Sequence, residues 1–313
     1  MSKPKSSRKS RPSPTLPSAS GHAPQRQQTA PPTISGRWLL SGLIIALFAS
    51  ILCAWGTLCI LFWQGSWQLL YHPTAAVTKT PASVNLSFES IGFATNTAGE
   101  PQLRGWWIPT ASPSPFTAVY LHAQTGNLSD ALSALAPLHE AGLNIFAFDY
   151  RGYGQSHFEH PSERRWREDA ESALQYLSGT RHIAPASIIF IGRDLGANLA
   201  LEIAAAHPDL AGVILEQPLD DPTATIFGDT RARLVPAHLL VSDRWDTKSA
   251  ASNLLIPSLW FYWTPGRSHN SNAPYRSVPA RKTIVWLTNS ANEPREFNSA
   301  LSAFLDQLQR PKQ

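Results

Sequence analysis

The sequence predicts an α/β domain with a mostly parallel sheet, preceded by one membrane-spanning helix. Two observations carry this prediction. From about residue 83, short apolar segments alternate with helical patterns, which is typical of successive βαβ units. Before them, residues 38–63 contain no charged side chain, and a helix of that length crosses a hydrocarbon core of about 30 Å.

The alternation predicts eight strands in the domain of residues 83–310. These strands are Val84–Phe88, Arg104–Ile108, Ala118–Leu121, Asn144–Phe148, Ser187–Ile191, Gly212–Leu215, Ser258–Tyr262 and Thr283–Leu287. The predicted helices are Leu128–Ala141, Glu163–Leu177, Ala197–Ala206 and Glu296–Leu308. Residues 220–255 have helical character and interrupt the alternation, which predicts a cap inserted after the sixth strand.

The net charge of +4 is unevenly distributed along the chain. Residues 1–37 contain basic side chains and no acid, whereas the rest of the chain is mildly acidic. The positive charge therefore does not indicate a nucleic-acid-binding domain. The basic tail is rich in Ser and Pro, and we expect it to be disordered because it has little apolar surface to bury.

The apolar segment 38–63 predicts a signal anchor in the lipid bilayer. Trp38 and Trp63 mark its two ends, where indole rings prefer to lie. A cleavable signal peptide is the alternative, but residues 64–72 offer no A-x-A-like cleavage site. With the basic tail before the anchor, we expect a cytoplasmic N-terminus and a domain on the other side of the membrane, joined by a linker over residues 64–82.

The most informative motif is Gly192-Arg193-Asp194-Leu195-Gly196. An apolar strand precedes it and a helical pattern follows, which is the context of a nucleophile elbow G-x-S-x-G. Both glycines are present, because strand and helix approach closely there, but Asp194 stands where the motif has serine. A carboxylate at this position either caps the following helix or serves as a nucleophile that forms an ester intermediate.

Four further strings accompany the elbow: residues 67–73 (WQLLYHP), 120–127 (YLHAQTGN), 148–156 (FDYRGYGQS) and 256–259 (IPSL). Together they resemble the membrane-anchored, serine-hydrolase-like branch of the α/β-hydrolase superfamily (esterases, lipases and aminopeptidases), over residues 67–308. The resemblance implies an eight-stranded, mostly parallel sheet with a helical cap. It also implies a triad in the order serine, acid, histidine.

The resemblance places the triad acid at Gly266 and the triad histidine at Asn292, so both groups are expected to be lost together with the serine. The oxyanion donors would be the backbone N–H groups of Gln124 and Leu195, with Ala123 in place of the usual glycine. Haloalkane dehalogenases and epoxide hydrolases of this superfamily use an elbow aspartate as nucleophile. In that case His269 is the candidate for a displaced base.

Other chemistry finds less support in the sequence. Both cysteines, Cys53 and Cys59, lie in the predicted membrane span, which excludes a thiol nucleophile or a disulfide in the domain. No His, Asp and Glu spacing resembles a metal site, and we expect neither metal nor cofactor. Acidic residues near the sixth strand and the cap are candidates for a relocated acid or for helix caps: Glu216, Asp220, Asp221, Asp243 and Asp246.

Three hypotheses follow. The first is a hydrolase-like protein without serine-hydrolase activity that acts by binding a small molecule or a protein. The second is an active hydrolase with Asp194 as nucleophile and a displaced base such as His269. The third is an enzyme whose acid–base groups lie elsewhere in the chain than the alignment of motifs places them.

Overall fold

The computed structural model of the protein describes residues 35–111, 113–264, 273–288 and 293–310. The chain divides into two compact units, Met1–Leu52 and Cys53–Gln313. The first unit contributes, within the described residues, the N-terminal part of one long helix. The second unit contains the sheet and the helices that pack on it. This unit begins at Cys53, before residue 83, where the sequence predicts the start of the domain.

The second unit is built on an eight-stranded sheet in the order β8-β7-β6-β5-β3-β4-β2-β1. The strands are β1 (Glu89–Thr95), β2 (Pro101–Ile108), β3 (Thr117–Leu121), β4 (Asn144–Asp149), β5 (Ile188–Arg193), β6 (Gly212–Glu216), β7 (Ser258–Thr264) and β8 (Lys282–Thr288). Strands β3 to β8 pair in parallel, whereas β1 and β2 are antiparallel to their neighbours. This is the predicted α/β-hydrolase sheet.

The first predicted strand, Val84–Phe88, is wrong. Residues Pro81–Val84 form a 3₁₀ turn that ends at Asn85 in the left-handed region, with φ 59°. The strand begins at Glu89 because the hairpin turn to β2 sets its register. The Asn96 side chain accepts hydrogen bonds from the N–H groups of Ala98 and Glu100 and closes that turn.

Eight α-helices lie within the described residues: α1 (Gly36–Gly65), α2 (Leu128–Glu140), α3 (Glu163–Gln175), α4 (Leu195–Ala206), α5 (Ala224–Phe227), α6 (Ala237–Leu240), α7 (Thr247–Ser252) and α8 (Glu293–Gln309). Helices α2 and α8 cover one face of the sheet, and α3 and α4 cover the other. The predicted cap region contains α5, α6, α7 and a 3₁₀ turn at Thr230–Arg233.

Helix α1 extends the predicted span by two residues at each end and is 30 residues long. It is the one helix among the described residues that is long and apolar enough to cross a membrane. The predicted linker 64–82 packs against the domain: Tyr71 is buried, and His72–Pro73 pairs with Thr125–Gly126. Residues 1–34 of the predicted disordered tail lie outside the described part of the chain.

Candidate functional site

The elbow lies at the carboxyl end of the sheet, between β5 and α4. Asp194 has φ 52° and ψ −121°, a conformation that side chains other than glycine rarely adopt. Its N–H donates to the carbonyl oxygen of Glu216 at 2.9 Å, which ties the elbow to the end of β6. The residue at the apex is thus held in a strained backbone conformation by its neighbours.

The two elbow glycines have no room for a side chain. A methyl group at Gly192 would overlap the backbone of Gly196 and Ala197. A methyl group at Gly196 would overlap the carbonyl oxygens of Leu121 and His122, at the end of β3. Both glycines are therefore required by the close approach of β5, α4 and the loop after β3.

Asp194 occupies the position before α4, but its side chain makes no capping hydrogen bond to that helix. The capping interpretation of Asp194 is therefore wrong. A capping residue usually has an extended backbone, whereas positive φ at Asp194 directs the side chain elsewhere. Asp246 does cap a helix, since its side chain accepts from the N–H of Ser249 in α7.

One of the two expected oxyanion donors, the Leu195 N–H, is already hydrogen-bonded to a side chain of the protein. The N–H of Leu195 donates to the side-chain oxygen Oε1 of Gln124 at 3.2 Å. The backbone of Gln124 is fixed at the same time, because its carbonyl accepts from Tyr153 Oη at 2.8 Å and from the N–H of His72 at 2.9 Å. The Gln124 side chain therefore fills the place where a substrate oxygen binds in an acyl-transfer site.

His122 is buried and is hydrogen-bonded within its own loop. Its Nδ1 donates to the carbonyl oxygen of Ala123 at 2.8 Å, and its ring packs against Tyr150 and Trp166. Burial lowers the pKa of His122 to about 4, although the hydrogen bond to Ala123 opposes this shift. The imidazole is neutral near pH 7 and is too weakly basic to serve as a general base.

The buried carboxyl of Asp149 lies 3.5 Å from His122 Nε2. Burial raises the pKa of Asp149 to about 7. The backbone N–H groups of Leu128 and Gln155 donate to the carboxylate and oppose this shift. Between about pH 4 and pH 7 both side chains are therefore mainly neutral, and the contact is not an ion pair. Asp149 holds the turn after β4, where a methyl group on Gly154 would overlap its carboxyl.

A second buried carboxyl, Glu216, lies beside the elbow at the end of β6. Its backbone pairs with Arg193, the residue before Asp194. Its Oε1 is buried and has no hydrogen-bond partner within the described residues. Burial raises the pKa of Glu216 to about 7; the charge of Arg193 opposes the shift and that of Asp194 adds to it. The structure thus places the candidate acid Glu216 in electrostatic contact with the apex.

Three of the remaining predicted site residues cannot be placed, and one other has defined partners. Gly266, His269 and Asn292 lie outside the described residues. The Asp243 carboxyl accepts hydrogen bonds from the buried Tyr71 hydroxyl and from the backbone N–H of Glu163, the first residue of α3. The described residues contain no group of three or more His, Cys, Asp or Glu side chains that could hold a metal ion.

Comparisons with known proteins agree with this geometry. A family model described as serine aminopeptidase, S33, matches residues 122–256, which include the elbow and the cap. An uncharacterized protein of Mycobacterium tuberculosis is 31% identical over 217 residues, covering 69% of this chain and 73% of that protein. Human alpha/beta hydrolase domain-containing protein 17C is 31% identical over 140 residues, 44% of this chain and 42% of that protein.

Among solved structures, an esterase of Pyrococcus furiosus superimposes with a TM-score of 0.57 at 17% identity, covering 76% of this chain and 98% of that one. A membrane phospholipase A does so with a TM-score of 0.52 at 16% identity, covering 88% and 100%. At such identities these likenesses concern the fold alone. The sheet order, the elbow and the relatives together define the class: the chain belongs to the α/β-hydrolase superfamily.

Proposed function

We propose that this protein is a membrane-anchored α/β-hydrolase-fold protein that binds a ligand at the elbow without ordinary serine-hydrolase turnover. The observation that carries the proposal is the hydrogen bond from the Leu195 N–H to Gln124 Oε1. A hydrolase that stabilises an oxyanion needs that N–H to face the substrate. Here it is already satisfied, next to a carboxylate at the apex.

The charge at the apex supports the same proposal. Acyl transfer develops negative charge on the substrate oxygen close to the nucleophile, and an ionised Asp194 disfavours that charge. A carboxylate at the apex instead favours a ligand with a positively charged or hydrogen-bond-donating group. Such a ligand is a small molecule or a segment of a protein.

The positions of the histidines also support a binding function without serine-hydrolase turnover. His122 is buried and weakly basic. After His269 the sequence contains no histidine, and the resemblance to the superfamily places Asn292 at the position of the triad histidine. An amide neither accepts nor returns a proton near neutral pH.

Fluorophosphonate labelling tests the proposal. Asp194→Ser restores the attacking oxygen but neither base nor acid, and we expect it to remain unlabelled, as does the matched control Asp194→Ala. Adding Asn292→His and Gly266→Asp to Asp194→Ser should give labelling, since positioned acid–base groups contribute roughly 10²- to 10⁴-fold. Adding Gln124→Ala to that triple variant should raise it further by freeing the Leu195 N–H. Strong labelling of Asp194→Ser alone would show a competent base and overturn the proposal.

A second candidate function is hydrolysis with Asp194 as nucleophile, and the buried Glu216 favours it. A carboxyl with a pKa of about 7 beside the apex is suited to remove a proton from water at neutral pH. An oxygen of Asp194 attacks the substrate carbon, and the leaving group departs with its electron pair. A water molecule deprotonated by Glu216 or by His269 then cleaves the ester at its Asp194 carbonyl.

Isotope labelling distinguishes this candidate from a binding function. A screen of esters, thioesters and haloalkanes identifies a substrate, and a single turnover in ¹⁸O-water should place the label in the Asp194 carboxyl group. Glu216→Gln should stop turnover if Glu216 is the base, whereas His269→Gln should stop it if His269 is. Absence of turnover across the screen would remove this candidate.

The anchor and its orientation form the second part of the proposal. Helix α1 has the length and apolar composition of a membrane span, and the basic tail before it favours a cytoplasmic N-terminus. Protease added outside spheroplasts should then digest the hydrolase-like domain and spare the tail. Protection of the domain would contradict this orientation.

A further inference from the structure

The last third of α1 packs against the cap, within the same compact unit. One face of α1 carries four side chains at helical spacing: Trp55, Leu58, Cys59 and Phe62. Phe62 is buried, and Leu58 and Cys59 pack against the apolar cluster that contains the inner cap residues. Trp55 Nε1 donates to the carbonyl oxygen of Leu234 at 3.0 Å. The cap is therefore joined to α1 about three turns before α1 ends at Gly65.

The position of Trp55 along α1 relates this contact to the bilayer. About 20 helical residues cross a hydrocarbon core of about 30 Å, so the uncharged segment 38–63 is longer than the core alone requires. Counted from Trp38, the core ends at about residue 57, and the segment up to Trp63 lies in the headgroup region. Helix α1 continues to Gly65, so its last two turns stand beyond the core. Trp55 then lies at the boundary of the membrane, where amphipathic indole rings are favoured.

The cap exposes large apolar side chains beside this boundary. Leu234 is 61% exposed and Leu239 is 85% exposed. They alternate with buried residues of the same segment, among them Val235 and Ala237, so the segment has an inner and an outer apolar side. Water contact is unfavourable for the outer side; on α1, Trp63 is likewise 60% exposed.

We infer that cap residues 230–240 form a membrane-contact surface that inserts Leu234 and Leu239 into the bilayer spanned by α1. This inference rests on the anchor in the proposed function, and on the continuity of the surface with α1. The partner is the phospholipid surface.

Charge and polarity agree with a lipid partner. The exposed Arg233 directly precedes Leu234, and a guanidinium group at this depth matches lipid phosphates. The neighbouring Arg231 is paired with Asp229. A groove of about 880 Å³ opens between α1 and the cap. Its lining includes Leu61 and Trp63 next to Gln64 and Gln68, so apolar and polar side chains meet there near the end of α1.

Depth-dependent fluorescence quenching tests the inference on the full chain. The two native cysteines are replaced (Cys53→Ala, Cys59→Ala), and Leu239→Cys carries an environment-sensitive NBD label. The protein is reconstituted in phosphatidylcholine vesicles with brominated acyl chains. We expect the label at 239 to be quenched roughly twofold or more, because interfacial insertion brings it within reach of the acyl chains.

Two matched positions make the result decisive. Leu255→Cys labels a leucine that is 67% exposed but precedes the amino end of β7, and it should not be quenched. Leu47→Cys labels the middle of α1 and should be quenched strongly. Quenching at 47 with equal signals at 239 and 255 would overturn the membrane-contact surface and leave the anchor intact. No quenching at 47 would refute the anchor and this inference with it. Disulfide cross-linking of unlabelled Leu239→Cys between two copies would assign the surface to a dimer instead.

Discussion

The turn after β4 and the elbow after β5 are both recognisable from the sequence, but they differ in what holds them together. The turn is stabilised by buried side chains. Arg151 Nε forms an ion pair with Asp169 Oδ1 at 2.6 Å, and Asp149 Oδ1 accepts a hydrogen bond from the Leu128 N–H at 2.8 Å. In the elbow, the constraint is on the backbone, through glycines at 192 and 196. The turn therefore depends on buried side chains as well as on Gly152 and Gly154, whereas the elbow depends on the backbone at Gly192 and Gly196.

The largest expected effect concerns the elbow glycines. Gly196→Ala should destabilise the domain by more than about 4 kcal/mol, because the methyl group meets the carbonyl oxygens of Leu121 and His122 at the end of β3. Gly179→Ala is the matched control, since a methyl group there meets nothing within 4 Å. Its effect should stay within about 0.5 kcal/mol. Urea unfolding of both variants measures the difference, and similar midpoints would show that the close approach is not required.

A smaller effect with a characteristic pH dependence is expected in the turn. Asp149→Asn leaves one buried N–H without its acceptor and should cost about 1–3 kcal/mol at pH 5. The folded-state pKa of Asp149 is raised to about 7. Its contribution to stability is therefore complete below about pH 4 and is lost as the pH rises through 7. The Asn variant has no such loss, so the gap to the wild type should narrow between pH 5 and pH 8.

Urea midpoints of both proteins at the two pH values check this prediction. Comparing the two proteins cancels the titration of other buried carboxyls, such as Asp169 and Glu202. A gap that stays constant from pH 5 to pH 8 would mean that Asp149 is ionised throughout.

The smallest expected effect isolates the backbone strain at the apex. Asp194→Ala and Asp194→Gly both remove the carboxylate, but glycine alone adopts φ 52° and ψ −121° without strain. We expect the Gly variant to be more stable than the Ala variant by about 1 kcal/mol. Calorimetric unfolding temperatures measure this difference; a more stable Ala variant would place the strain elsewhere.

Most of the fold could be predicted from the sequence because it depends on local patterns. Alternating apolar strands and helices, the elbow glycines and the uncharged segment before them lie within short windows of the chain. The first strand was misplaced at Val84–Phe88 because Val84, Leu86 and Phe88 alternate with polar residues as in a strand. The strand itself begins at Glu89, where pairing with Pro101–Ile108 sets the register.

The sequence by itself determined the superfamily, the carboxylate at the nucleophile position and the helix fit to span a membrane. Only the tertiary structure decided that Asp194 does not cap α4, that Gln124 takes the Leu195 N–H, and that Glu216 lies beside the apex. The physical reason is that motifs record which backbone shapes are required over a few residues. Hydrogen bonds and burial between residues far apart in the chain depend on how the sheet brings their loops to one edge.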